Sequence, residues 1–374
     1  MQRSVLLFVF LLLSVLAGDA QTANPPPAVP ASFAVIGYFS GRTTMIDSFE
    51  VEKLTHLIFS FCHLYKDKLA VMNARDSATI FRMVELKKRN PNLKIILSLG
   101  GWGGCATCST VFSTKKGRRR FARSVKKTSD YFNTDGIDLD WEYPVISGFP
   151  GHARSPQDKT DFTALIYQLR KKLGATREIS FAAGGFDTFI DSSIEWKKVM
   201  PVANRVNLMS YDLVSGYSGN SGHHTPLYST ARQKQSTDNG VNRLVAAGVP
   251  ANKIVIGAAF YGRLFEVTDT IGNGLYDKGS FYRGISFSHF SDSISTRTGF
   301  TRYWDSVAQA PYAFNPKRKL LFTYDDTLSV KLKTQYAWKK KLNGIMFWQL
   351  ADDAFSNGLL DVIYRTRMTL ISVN

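Results

Sequence analysis

The sequence predicts an α/β chain: a (β/α)8 or TIM barrel with a small α+β insertion between its seventh and eighth strands. Eight short β-branched and aromatic runs alternate with helical patterns, and that count closes a barrel. The chain has 374 residues, more than the roughly 250 that such a barrel needs. Its composition, 44% hydrophobic, 13% aromatic and 21% charged, fits a globular protein and excludes a disordered, collagen-like or multi-span membrane chain.

The elements follow in order. Arg3 gives a short positive start, Val5 to Ala17 form an apolar run of 13 residues, and Gly18-Asp19-Ala20 supplies small residues. Residues 1–20 therefore read as a signal peptide cleaved after Ala20, which makes the protein secreted, extracellular or periplasmic. A membrane anchor would need about 20 apolar residues, and no other stretch approaches that length. Residues 21–31 carry Pro25, Pro26, Pro27 and Pro30 and form an extended spacer. The barrel is expected over 32–374.

Its candidate strands are Phe33 to Phe39, Leu54 to Phe61, Leu93 to Leu99, Gly136 to Glu142, Ile179 to Ala183, Val206 to Tyr211, Ile254 to Tyr261 and Gly344 to Gln349. Ser155-Pro156 reads as an N-cap and first-turn proline; Phe162, Leu165, Ile166, Leu169 and Leu173 then repeat at helical spacing until Gly174. Leu244, Val245 and Ala247 behave likewise before Gly248 and Pro250. An open doubly wound sheet would want a Gly-rich phosphate turn after its first strand, and Gly37-Tyr38-Phe39-Ser40-Gly41 is not one. Between Tyr261 and Gly344 lie 82 residues, too many for one crossover. The aromatics Tyr276, Phe281, Tyr282, Tyr303 and Trp304 argue that about 264–322 packs as an inserted α+β subdomain, followed by a last helix from Ser329 to Lys340.

The chemistry sits on the fourth strand, Asp135-Gly136-Ile137-Asp138-Leu139-Asp140-Trp141-Glu142-Tyr143-Pro144. Strand side chains alternate, so Asp138, Asp140 and Glu142 share the inner face while Ile137, Leu139 and Trp141 face the helices. Glu142 falls at the carboxyl end, where barrel enzymes place their active sites. Crowded like charges raise at least one pKa, so Asp140 is expected to help keep Glu142 protonated, as a general acid requires. Simple pairing with Lys or Arg would not explain three buried acids in a row. A metal site lacks histidine partners, because His223 and His224 read as residues of a solvated loop.

Asp135-x-x-Asp138-x-Asp140-x-Glu142 with Tyr143-Pro144 resembles the signature of glycoside hydrolase family eighteen, the chitinases and their relatives. Ser98-Leu99-Gly100-Gly101-Trp102 resembles the third-strand motif, Met209-Ser210-Tyr211-Asp212 the sixth and Gly344-Ile345-Met346-Phe347-Trp348 the eighth. Tyr261-Gly262-Arg263 resembles the start of the family's inserted subdomain. By that resemblance Glu142 protonates the glycosidic oxygen, and the substrate's own N-acetyl carbonyl replaces an enzyme nucleophile. Asp140 would orient the acetamido N–H, Asp138 would share its charge, and Tyr211 and Asp212 would complete the cradle. Both can contribute only if the chain turns at the strand end. The resemblance implies sugar contacts from Tyr38, Phe61, Trp102, Met209, Tyr261, Arg263 and Trp348; for Phe61 and Met209 ordinary barrel core is an equal reading. It implies no metal and no cofactor.

The implied substrate is chitin or chitooligosaccharides, cleaved with retention at β-1,4 bonds. The alternatives are an endo-β-N-acetylglucosaminidase acting on glycoprotein chitobiose cores, or a non-catalytic chitin-binding lectin. Trp141-Glu142-Tyr143-Pro144 and Trp348 favour the chitinase, and lectin relatives usually lose the glutamate. A monomer is expected.

The formal net charge of +17 requires an anionic partner to be weighed. Lys115, Lys116, Arg118, Arg119, Arg120, Arg123, Lys126 and Lys127 crowd one segment, but Phe121, Val125 and Phe132 form a helical stripe within it. The charges therefore read as a solvated outer face, giving weak adhesion to anionic surfaces, with no specific nucleic acid and no membrane span. In an oxidising compartment Cys105 and Cys108 are expected to pair, leaving Cys62 a buried thiol. A thioredoxin-like redox role would need a helix opening beside such a sheet.

Overall fold

A computed structural model describes residues 33–372; the expected signal peptide and proline spacer lie outside them. The first half contains β1 (Ala34–Phe39), β2 (His56–Tyr65), β3 (Lys68–Ala70), α1 (Ala74–Glu85), β4 (Lys94–Gly100), α2 (Cys108–Phe112), α3 (Lys115–Phe132), β5 (Gly136–Asp140), α4 (Asp158–Leu173) and β6 (Glu178–Gly184). Next come α5 (Asp187–Ser192), α6 (Trp196–Val199), β7 (Arg205–Met209), α7 (Thr237–Ala246) and β8 (Ile254–Ala259). The segment after β8 holds β9 (Tyr261–Val267), β10 (Gly279–Ser286), α8 (Phe290–Ser293), β11 (Thr301–Asp305), β12 (Ala310–Asn315) and β13 (Leu320–Tyr324). The chain then completes α9 (Thr327–Lys339), β14 (Gly344–Trp348) and α10 (Leu359–Ser372).

Eight parallel strands run in the order β1, β14, β8, β7, β6, β5, β4, β2, and β1 also pairs with β2, so the sheet closes. This is the (β/α)8 barrel; β3 adds an antiparallel hairpin to the carboxyl end of β2. Alternation sorts the side chains into two cores. On β1, Ala34, Ile36 and Tyr38 fill the barrel interior with Ile58, Ile96, Val255 and Met346. Val35 and Phe39 point outward into the larger core under the helices.

The helices pack by stripe and end where caps dictate. In α3, Phe121, Val125 and Phe132 are buried; Thr114 caps its start through the Gly117 N–H, and left-handed Asn133 ends it. Gly174 stops α4 as expected, but Ser155-Pro156 forms a turn and the helix starts at Asp158. The reason is local: the Ser155 N–H donates to Asp158 and the Gln157 N–H to Ser155 Oγ, which fixes a turn two residues early. Val245 does not join the apolar stripe of α7, since it is exposed while Leu244 is buried.

The insertion is a five-stranded antiparallel sheet in the order β10, β9, β13, β12, β11; along the chain it begins with β9 at Tyr261 and ends with β13 at Tyr324. Leu264, Phe290, Phe322 and Tyr324 form its own core. One buried ion pair ties this sheet to the barrel. Lys333 on α9 lies 2.7 Å from Asp325, both without solvent exposure. Asp325 also accepts from the N–H of Ala259 at the end of β8 and from Thr225 in the loop after β7. Among the described residues, no helix is long and apolar enough to cross a membrane.

Candidate active site

The inward acids of β5 climb the barrel axis toward its carboxyl end. Asp138 has no solvent exposure and accepts hydrogen bonds from Ser98 at 2.8 Å, Ser180 at 2.6 Å, Tyr38 at 3.1 Å and Asn207 at 3.2 Å. Burial raises its pKa even against those four donors. Asp140 is pushed well above the ordinary range by burial, then by the charges of Glu142 and Asp138, and its Oδ1 has no hydrogen-bond partner. Glu142, two residues beyond the end of β5, is raised to about 7. Burial is the main cause there and Asp212 the repelling charge, while the Tyr143 hydroxyl pulls the other way. The Asp140–Glu142 repulsion expected to protect the Glu142 proton thus appears chiefly on Asp140. On the opposite face Ile137, Leu139 and Trp141 are buried, with Trp141 packed against Phe112 and Phe162.

The turn needed after the sixth barrel strand is present. β7 ends at Met209, and Asp212 adopts φ 54°, which redirects the chain so that Tyr211 and Asp212 both face the cleft. Burial alone would raise the Asp212 pKa, but hydrogen bonding with His224 and then bidentate donation from Arg263 at 2.7 and 2.6 Å outweigh it and keep the carboxylate ionised. Burial, then the charges of Asp140 and Glu142, hold the Tyr211 hydroxyl protonated and able to donate.

His223 and His224 are not in a solvated loop. Their side chains are 1% and 0% exposed. The segment is drawn inward because His223 Nε2 meets Asp305 at 3.1 Å, and the His224 N–H donates to Thr323 on the inserted sheet. His224 Nδ1 lies 3.5 Å from Asp212, its ring packs on Tyr261, and burial lowers its pKa so that it stays neutral. Among the described residues no group of three His, Cys, Asp or Glu is placed to hold an ion.

A cavity of about 900 Å³ brings together Glu142, Asp140, Tyr211, Asp212, Tyr38, Phe61, Trp102, Met209, Tyr261, Arg263 and Trp348. Asp138 lies beneath this set, sealed in the barrel. Phe61 stacks on Trp348 with ring centroids 5.4 Å apart and planes at 13° and faces the cavity, while Met209 both lines the cavity and packs on the barrel-interior core. The peptide bonds Ser60–Phe61, Glu142–Tyr143 and Trp348–Gln349 are cis. Trp102 is half-exposed and sits within 5.9 Å of Tyr217 and 5.7 Å of Phe149. Gly100, at φ 112°, lets the loop turn there, since a Cβ would collide with the Asp140 carbonyl.

Four aromatic lining residues are not among the site residues the sequence points to: Tyr143, Phe186, Tyr217 and Phe281. Tyr143 followed Glu142 in plain view, but its hydroxyl turns back toward the acid only in three dimensions. Tyr217 and Phe281 come from a Gly/Ser-rich loop and an exposed strand, where no periodicity marks an inward face.

Fold and cleft together define a barrel hydrolase with a buried acid and a sugar-sized aromatic trough. The chain belongs to the glycosyl hydrolases family 18, whose profile matches residues 34–353. It is 34% identical over 301 residues to Chitinase A1 of Niallia circulans, covering 74% of this chain and 43% of that protein. It is 31% identical over 331 residues to Chitotriosidase-1 of Mus musculus, covering 80% of this chain and 67% of the other. Among solved structures, a family 18 N-acetylglucosaminidase from Paenibacillus barengoltzii superposes with a TM-score of 0.83 at 36% identity, over 90% of this chain and 100% of the other. The chain thus spans less than half of Chitinase A1.

Proposed function

We propose that this protein is a secreted chitinase that hydrolyses β-1,4 bonds between N-acetylglucosamine units, with retention and with the substrate's acetamido group as nucleophile. The observation that carries this reading is the pairing of a buried Glu142 at a pKa of about 7 with an Asp140 whose Oδ1 is unpartnered. A carboxyl with that pKa is protonated below neutrality and can donate to the glycosidic oxygen. Two of the remaining acids are tied up and cannot attack carbon. Asp138 is saturated by four donors, and Asp212 is clamped by Arg263. Asp140 then accepts from the acetamido N–H at its unpartnered Oδ1 as the oxazolinium forms, while Tyr211 donates to the acetamido carbonyl. Water opens that intermediate with Glu142 acting as base, so two inversions restore the β configuration. Trp348, Phe61, Tyr38 and Met209 would floor the cleavage subsite, Trp102 would take the leaving sugar, and Tyr261 and Arg263 would contact the chain.

The structural neighbour's description as an N-acetylglucosaminidase keeps a second reading in view, release of single sugars or cleavage of chitobiose cores. Aromatic surfaces on both sides of Glu142, Phe61 with Trp348 and Trp102 with Tyr217 and Phe149, favour a longer chitin chain. A parallel digest of colloidal chitin and a high-mannose glycoprotein tests the reading. Soluble chitooligosaccharides from the first and no deglycosylation of the second are expected; the reverse pattern would transfer the protein to the glycoprotein class, and binding without cleavage would make it a lectin. Residues 1–20 are proposed as the leader of a secreted protein, and N-terminal sequencing of the mature chain at Gln21 would establish it.

A further inference from the structure

The eight cations of the basic segment are not equivalent once the chain folds. Arg118 is not solvated: its side chain is 15% exposed and bonds Asp161 at 2.8 Å. Lys126 is held by Asp130 at 2.7 Å, and Arg120 by Asp67 at 2.9 Å. Among the described residues, Arg123 and Lys127 of α3 and Lys68 of β3 have no ion-pair or hydrogen-bond partner for their side chains. These three line one groove of about 550 Å³ between the β2–β3 hairpin and α3, together with Arg120 and Tyr131. The groove shares no residue with the catalytic cavity.

Like charges left unpaired in a concavity repel one another and lower the cost of bringing in an anion. Arg120, Arg123 and Lys127 fall on one face of α3 at intervals of three and four residues, which the helical rise converts to about 4.5 and 6 Å. That spacing suits a rigid ligand with one anionic group on each successive ring. The floor is apolar, formed by buried Leu69 and Phe132, and Tyr131 stands 69% exposed at the groove's end, where its ring can lie on a sugar face.

We propose that this groove binds a linear acidic polysaccharide, one that carries carboxylate or sulfate groups along its chain, independently of the catalytic cleft. Arg123, Lys127 and Lys68 take the anionic groups, Arg120 joins them beside Asp67, and Tyr131 with the apolar floor takes ring faces. Single-stranded nucleic acid fits less well, because such grooves stack successive bases on successive aromatic rings and this one exposes a single ring. An anionic membrane fits less well too, because interfacial helices project apolar side chains past their cations, and here the apolar residues lie beneath them.

The test compares two full-length variants of equal charge change on the same helix. R123E/K127E alters the groove, and K115E/R119E alters exposed, unpaired cations outside it. Binding of a fluorescent heparin decasaccharide is measured by polarisation at about 0.15 M salt, beside a single-stranded DNA and phosphatidylserine vesicles. The wild type should bind the decasaccharide, R123E/K127E should lose about tenfold or more in affinity, and K115E/R119E should lose much less. Equal losses in the two variants would reduce the effect to net charge and overturn the site. Tighter binding of DNA or vesicles would overturn the ligand class, and absence of decasaccharide binding would overturn the proposal outright. Unchanged thermal midpoints show that the variants fold, and R123Q/K127Q, which reverses no charge, repeats the comparison if the glutamates disturb packing. The readout is binding, so it stands or falls separately from chitin hydrolysis.

Discussion

In the proposed mechanism Glu142 is the proton donor; burial keeps it protonated and also sets the cost of ionising it. Glu142→Gln keeps the shape and loses the transferable proton, so hydrolysis should fall by about 10²–10⁴-fold while chitooligosaccharide binding persists. Near-wild-type turnover would remove Glu142 from that role. In the wild type, kcat/KM should decline as pH rises through about 7. The stability sign follows: a folded pKa raised above the ordinary 4.5 means the folded state holds the proton more tightly, so that contribution is full below pH 4.5 and lost as pH rises through about 7. Glu142→Gln carries no such loss and should melt above the wild type near pH 8, by up to about 3 kcal/mol, with the gap closing in acid. Tyr143→Phe removes the hydroxyl that lowers the Glu142 pKa, so the alkaline limb of the rate profile should move upward; an unmoved or lowered limb would detach Tyr143 from the acid. Asp138, Asp140 and Glu142 were legible in the sequence because strand alternation is a local rule. His224 was not, because only the inserted sheet, through Thr323 and Asp305, pulls its loop out of solvent.

Elements were legible wherever a single period ran unbroken. The α3 stripe of Phe121, Val125 and Phe132 and the inward and outward sets of β5 behave as their spacing requires. Boundaries were less so, since side-chain hydrogen bonds such as those of Ser155 and Asp158 end a turn without leaving a mark in hydrophobicity. Nor does any pattern announce Lys333, a charged residue within a helix that proves wholly buried. Its partner Asp325 receives bonds from the end of β8 and the loop after β7, so this pair fastens three elements behind the Tyr211–Asp212 turn. Lys333→Met should cost about 3–5 kcal/mol in denaturant unfolding, because it strands a buried carboxylate. The companion change Asp325→Leu made in the same chain should recover part of that loss, and a double variant no better than the single would show that charge is not the cause.

At the scale of the whole molecule, the proposed mechanism assigns the uncommitted Asp140 to orienting the acetamide and leaves the attack on carbon to the substrate. Fully deacetylated chitosan and cellulose should resist cleavage, and partly acetylated chitosan should yield N-acetylglucosamine in the β configuration at the new reducing ends. Early α products, or glucosamine at those ends, would show that no acetamide is required. The disulfide between Cys105 and Cys108 sits beside the Gly100–Gly101 turn that carries Trp102, while Cys62 is a free thiol buried in the larger core. Ring closure has a temporal consequence as well. Tyr38 comes from the first barrel strand and Trp348 from the last, 310 positions apart, yet they meet at 6.0 Å in one wall. A chain still being synthesised already possesses every acid of β5, but it has no floor against which a sugar could rest. Catalytic competence therefore arrives late and all at once, so ribosome-tethered chains stalled before β14 should carry every acid of β5 and turn over nothing.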